Sequence, residues 1–139
     1  MIMELKFRCW NGEEMISPDY VDRSGVAYWK ENSLLEYSKH VMLWTGLLDR
    51  RKKEIYVGDI VAITNPKCHI QEKRIEGVVV FSQGSFGVEI KKAIKWEGYY
   101  TLVEPPSIVW FLCIADFGTI EVIGNICKNH DLAPIEEEE

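Results

Sequence analysis

Two cysteines and two histidines carry the chain's most reactive side chains. Cys127 opens the stretch Cys127-Lys-Asn-His130, and Cys68 sits directly before His69. Two thiolates and two imidazoles are the ligand set of a tetrahedral zinc site. The spacing argues against one. Adjacent Cys68 and His69 chelate a single ion awkwardly, whereas metal sites ordinarily draw one spaced pair from each of two turns. The expectation is no metal and no cofactor. Nucleophilic catalysis would need a thiol or hydroxyl, a base and an orienting group to converge. His40, His69 and His130 all fall in predicted loops or element ends and lie in no recognisable motif. Gln83-Gly-Ser-Phe-Gly87 has its serine directly after the first glycine, so it is not a nucleophile elbow. Neither a phosphate-binding P-loop nor a dinucleotide fingerprint is present. Asp59, which follows Gly58 before an apolar run, reads as a turn carboxylate capping backbone N–H groups. The sequence therefore predicts no enzyme and no catalytic residues.

Binding chemistry offers more. Arg50, Arg51, Lys52 and Lys53 form a four-residue basic bend, and Trp96, Tyr99 and Tyr100 are aromatics able to stack on bases. These seven residues are the candidate binding set. Asp49 and Glu54 flank the bend, so it also reads as a solvated hairpin tip, and the aromatics also read as packing residues. The formal net charge of −6 is unevenly placed. Residues 1–44 hold five Lys/Arg against seven Asp/Glu, residues 45–134 hold eleven of each, and Glu136–Glu139 supply the remaining −4. A body that is close to neutral does not draw in a polyanion by its bulk field. Protein, including further copies of this chain, is thus the favoured partner, with nucleic acid the alternative.

The elements holding these residues are mostly strands. At 139 residues, 47% of them hydrophobic, the chain can bury a core without disulfides. Glu4 to Trp10 alternates, with Leu5, Phe7 and Cys9 on one face, and Asn11-Gly12 suits a type I′ turn into a strand over 13–16. Residues 20–40 read as irregular, either one short helix starting at Leu34 and capped by Asn32 or Ser33, or a mobile loop. Val41–Gly46, Glu54–Val57, Ile60–Ile63, Ile75–Phe81, Phe86–Ile90, Ile108–Ala115 and Glu121–Ile126 read as strands. Val78 to Phe81 is apolar at successive positions, which belongs in the middle of a sheet. Residues 91–106 read as a loop or weak strand ending at Pro105-Pro106. The fold class is mainly β: a small SH3-like barrel or twisted antiparallel sheet over 41–134. An N-terminal hairpin elaboration over 1–40 and a disordered acidic tail over 135–139 complete it.

Cys9, Cys68, Cys113 and Cys127 form no C-x-x-C pair, and Glu4, Lys6 and Arg8 leave the first ten positions without the uninterrupted apolar h-region of a signal peptide. The expectation is free thiols in a reducing, cytoplasmic setting, with Cys113 buried as a small apolar residue. The longest apolar run, Ile108–Ala115, is far below the roughly 20 residues of a membrane helix.

Four ordered blocks carry a family resemblance: Lys6-Phe-Arg-Cys-Trp10, Trp44-Thr-Gly-Leu47, Lys53-Glu-Ile-Tyr-Val-Gly-Asp-Ile-Val61 and Glu121-Val-Ile-Gly-Asn-Ile126. Together they resemble the YopX family of phage and prophage proteins. The resemblance implies a small β-rich protein in a bacterial host cell and implies no activity. Where the family places an Asn-Gly-type turn, Arg51-Lys52 stands here, which predicts a longer hairpin loop. Cys127 and His130 stand where the family places a Tyr and a Pro.

Overall fold

A computed structural model describes residues 5–64, 72–95, 100–110 and 119–129. All its regular elements are strands: β1 (Phe7–Trp10), β2 (Met15–Ile16), β3 (Tyr20–Val21), β4 (Ala27–Glu31), β5 (Leu34–Ser38) and β6 (Val41–Leu48). They continue as β7 (Glu54–Tyr56), β8 (Asp59–Thr64), β9 (Glu72–Ser82), β10 (Ser85–Lys95), β11 (Tyr100–Trp110) and β12 (Ile120–Asn125). No helix among the described residues is long and apolar enough to cross a membrane.

The strands form three antiparallel sheets, in the orders β2-β1-β6-β7, β3-β4-β5 and β11-β10-β9-β8-β12. The five-stranded sheet curls into a half-barrel. β9 is its middle strand, as the apolar run Val78–Phe81 predicts. Val79 packs with Ile55, Val61, Ile63, Ile75, Val88, Ile90, Ala93 and Ile120 in one buried cluster. Val78 packs with Ile60 in a second cluster on the opposite parity, backed by Val80, Ile123 and Ile126. Both faces of β8 and β9 are therefore covered, so their sequences run apolar instead of alternating.

β-Bulges keep the parity of these faces. Val88 and Ile90 share a face by two-residue alternation, and Ala93 rejoins them only because the pairing with β9 skips Lys91. Gly77 lies opposite, and a Cβ there would sit 2.2 Å from the Glu89 carbonyl oxygen. Only glycine permits that approach. A second bulge at Ile123 returns β12 to register with β8.

Four expectations need correction. Residues 34–38 are strand β5, not a helix: Asn32 and Ser33, taken as caps, hold φ of 52° and 68° and form a two-residue hairpin turn. Asn tolerates that left-handed conformation, and the turn's twist suits a hairpin. Asn11-Gly12 is not a two-residue turn, because Trp10 pairs with Met15 and leaves Asn11–Glu14 as the loop. The Asn11 side chain accepts the N–H groups of Glu13 and Glu14, closing an Asx turn instead. Leu5 is exposed, since β1 starts after it. Residues 91–106 belong largely to β10 and β11, and Pro105-Pro106 fits because β11 is an edge strand whose pairing lapses between Leu102 and Ser107. Cys113 lies outside the described residues. Cys9 is a buried thiol, and burial pushes its pKa up.

The central strand and the basic bend give opposite expectations. Val79→Asp, placing a carboxylate among aliphatic side chains, should cost on the order of 3–5 kcal/mol, enough to unfold a marginal domain. Lys52→Asp should stay within about 0.5 kcal/mol, because Lys52 is exposed and aspartate tolerates its positive φ. Circular dichroism melts of both variants check this. A normally melting Val79→Asp would make β9 an exposed strand.

Candidate functional site

The basic bend is organised by an acid. Asp49, 6% exposed, directly follows β6, and its carboxylate accepts three backbone N–H groups: Arg51 at 2.8 Å, Lys53 at 2.9 Å and Val122 at 2.9 Å. Burial pushes its pKa up, but the Val122, Lys53 and Arg51 N–H groups outweigh that and hold it below the ordinary value. Main-chain bonds from Arg50 N to Ile120 O and from Asp49 N to Lys53 O complete the knot. Lys52 takes a φ of 65° in the resulting five-residue loop. Arg50, Arg51, Lys52 and Lys53 are all exposed, and Arg51 pairs with Glu121 at 3.1 Å. The amide cradle that could hold an anion is thus filled by the protein's own carboxylate. Of the predicted aromatics, Trp96 and Tyr99 lie outside the described residues. Tyr100 begins β11 opposite Ile94. The structure describes no joining of these aromatics to the basic bend.

A second polar cluster links two sheets. Arg8 on β1 is ion-paired to Asp59 at the start of β8, lies 4.4 Å from the Tyr56 ring and reaches the Met42 sulfur at 3.3 Å. Asp59, 1% exposed, also accepts the Tyr56 N–H at 2.8 Å, the backbone-capping role its position after Gly58 predicts. Burial pushes its carboxyl up, against the opposing pull of Arg8 and the Tyr56 N–H. Lys6, Glu54 and the Tyr56 hydroxyl extend the network along the same sheet. Among the described residues no three His, Cys, Asp or Glu side chains group to hold a metal. Cys68, His69 and His130 lie outside them.

The feature that the sequence reading missed lies on β3-β4-β5. One face of this sheet packs Ala27 and Trp29 onto Cys9, with Ile16, Val21 and Val41 around them. The register puts Tyr20 and Tyr37 on either side of Tyr28, with Leu35 beside Lys30, all on the opposite face. Tyr20 and Tyr28 stack at 4.9 Å with planes 20° apart. Asp22 fastens the middle ring by accepting the Tyr28 hydroxyl at 3.1 Å, while taking the N–H groups of Ser24 and Val26. Those contacts, led by the Val26 N–H, lower the Asp22 pKa, and the hydrogen bond to Asp22 raises that of Tyr28. Tyr20, Leu34, Leu35 and Tyr37 remain more than half exposed. The signal was present: Tyr28 and Lys30 alternate up to Asn32-Ser33, and Leu35 and Tyr37 alternate after it.

Comparison with known proteins agrees with this architecture. A family model described as YopX protein matches residues 6–133. Among solved structures, protein yopX from Bacillus subtilis aligns with a TM-score of 0.51 and 25% identity, over 91% of this chain and 96% of that one. Protein EF1440 from Enterococcus faecalis aligns with a TM-score of 0.51 and 21% identity, over 95% and 99%. No curated protein matches the chain in sequence.

Two measurements test the buried acids. Asp49→Ala should cost about 2–4 kcal/mol by stranding three N–H donors. Because the folded-state pKa of Asp49 is lowered, its contribution is complete above the ordinary value of 3.8 and lost as pH falls through the lower folded value. Denaturation midpoints of wild type and variant should therefore converge in acid. For the ion pair, Arg8→Met alone should cost about 3–5 kcal/mol by leaving Asp59 buried without its counter-charge. Arg8→Met with Asp59→Asn should recover most of that loss, since asparagine still accepts the Tyr56 N–H. Equal losses in the single and double variants, read from urea midpoints, would refute the coupling.

Proposed function

The chain belongs to the YopX family, and from that premise we propose that it is a non-enzymatic phage or prophage accessory protein of the host cytoplasm that works by binding protein. The binding surface is the solvent-facing side and free edge of β3-β4-β5. One observation carries this reading: Tyr20, Leu35 and Tyr37, at 54%, 56% and 65% exposure, gather on one face of a small sheet whose other face is packed, and Leu34 adds an exposed side chain at the hairpin turn. Exposed aromatic and aliphatic side chains on a fixed scaffold are the usual anchors of protein recognition. The sheltered carboxylates support a non-catalytic role, because Asp22, Asp49 and Asp59 are each engaged by internal donors.

The second reading is a nucleic-acid-binding, SH3-like barrel module, favoured by the four exposed basic residues at 50–53. The two readings make opposite assignments of the active surface. A triple variant, Tyr20→Ser/Leu35→Ser/Tyr37→Ser, should stay folded and lose the proteins that wild type captures from a bacterial host. Replacing Arg50, Arg51, Lys52 and Lys53 by serine should leave that capture intact. Salt-sensitive binding of single-stranded DNA or RNA that is lost in the serine-loop variant alone would favour the second reading.

A further inference from the structure

We propose that the partner of the β3-β4-β5 sheet is a second copy of this chain, joined edge to edge through antiparallel β5 strands centred on Tyr37. This rests on the reading of that sheet as a protein-binding surface and names its occupant.

The first support is the backbone. Asn32-Ser33 is a two-residue turn, so the flanking Glu31–Leu34 pair is hydrogen-bonded. Alternation makes Trp29–Glu36 and Ala27–Ser38 hydrogen-bonded as well. The N–H and C=O groups of Leu35 and Tyr37 therefore point away from β4, toward the open side. β5 carries no proline or bulge, and Glu36 is its one charge. Other described edges are guarded: β2 and β3 have two residues each, β7 has three, β12 is bulged, and β11 holds Pro105-Pro106. Unguarded edges are templates for strand addition.

The second support is the ring geometry. Stacking of Tyr20 on Tyr28 at 4.9 Å follows the spacing between strands, about 4.8 Å. Rings arranged this way present their edges to solvent, so the face of the sheet is not a flat stacking platform for bases or sugars. The tyrosine row runs along the pairing direction and ends at Tyr37 on the open edge. A further strand that brings another tyrosine opposite Tyr37 would extend it.

Charge selects the occupant and its register. In a two-fold antiparallel pair, one residue of β5 faces its own copy. Centring on Glu36 would oppose two carboxylates, which destabilises a sheet. Centring on Leu35 sets Leu34 against the partner's Glu36 and leaves Tyr37 opposite the turn residue Ser33. Centring on Tyr37 pairs tyrosine with tyrosine and puts Glu36 opposite the partner's Ser38. That register has no like charges opposed and doubles the tyrosine row across six strands. A five-residue edge is small beside standard interfaces, so the dimer should be weak and rapidly exchanging.

Sedimentation velocity from micromolar to millimolar concentration should show the mass rising from monomer toward dimer. Tyr37→Lys, which opposes two ammonium groups across the axis, should hold the protein monomeric while its circular dichroism stays unchanged. Under mild oxidation Tyr37→Cys should give a covalent dimer, because paired Cα atoms about 5.5 Å apart suit a disulfide. Glu36→Cys should give no more dimer than wild type. A wild type that stays monomeric throughout, or a dimer that survives Tyr37→Lys, overturns the inference. Preferential cross-linking of Glu36→Cys overturns it too. Whether the sheet binds any other protein is read separately, by loss of capture in the triple serine variant.

Discussion

The fold turns on the joint between the four-stranded sheet and the half-barrel, where Arg8 meets Asp59. Three connections converge there besides the ion pair. Asp59 accepts the Tyr56 N–H, Gly58 N donates to Val79 O, and Gly58 O accepts from Ile126 N. The turn from β7 into β8 is thereby tied to β1, to the central strand β9 and to the segment after β12. Gly58 has a φ of 95°, and a Cβ there would come within 2.8 Å of the Met42 side chain. The Met42 sulfur also receives the Arg8 guanidinium. A buried ion pair gives little net stability when its desolvation is charged against it, but it penalises every arrangement in which one partner is lost. Here it fixes which strand of one sheet faces which turn of the other.

The remaining loops share a local device. Asn11, Asp22, Asp49 and Asn125 each begin a connection, and each side chain accepts N–H groups two to four residues ahead. Short polar side chains that mimic a backbone acceptor let a turn close without regular pairing. Asp49 adds a long-range bond to Val122 and so joins the β6–β7 bend to β12. Its carboxylate is held charged by N–H dipoles, whereas Asp59 is burdened by burial and relieved chiefly by one cation. Two buried aspartates ten residues apart in sequence thus pull stability in opposite directions as pH changes.

Strand content was legible wherever apolar residues ran together or alternated. β8, β9 and β10 could be read from residues 60–63, 75–81 and 86–90, and the capping role of Asp59 from its place after Gly58. The bulge at Lys91 was not legible, because a parity slip looks the same as a strand ending. It hid the second half of β10 and the first part of β11, of which only Ile108–Trp110 fell in a predicted strand. Residues 20–40 misled for another reason. Asn32 and Ser33 are good helix caps, but Asn also tolerates the positive φ of a hairpin turn, and the sequence does not rank those uses; pairing with β4 does. The exposed tyrosines followed the same error, since their shared face exists only once that hairpin is drawn. The basic bend was legible as a charged tip, but the acid at its centre was taken only as a flanking charge.

Pro105 and Pro106 give the molecule an asymmetry in its connectivity. They lack N–H groups, and they sit on edge strand β11 where pairing with β10 lapses. A sheet open at both ends has a functionality of two, in the language of polymers, and can propagate without limit. In the five-stranded sheet β11-β10-β9-β8-β12, two imino acids at one end lower that functionality toward one. Positions 105 and 106 act there as a terminator, because a strand added along β11 finds no N–H donors at two successive residues.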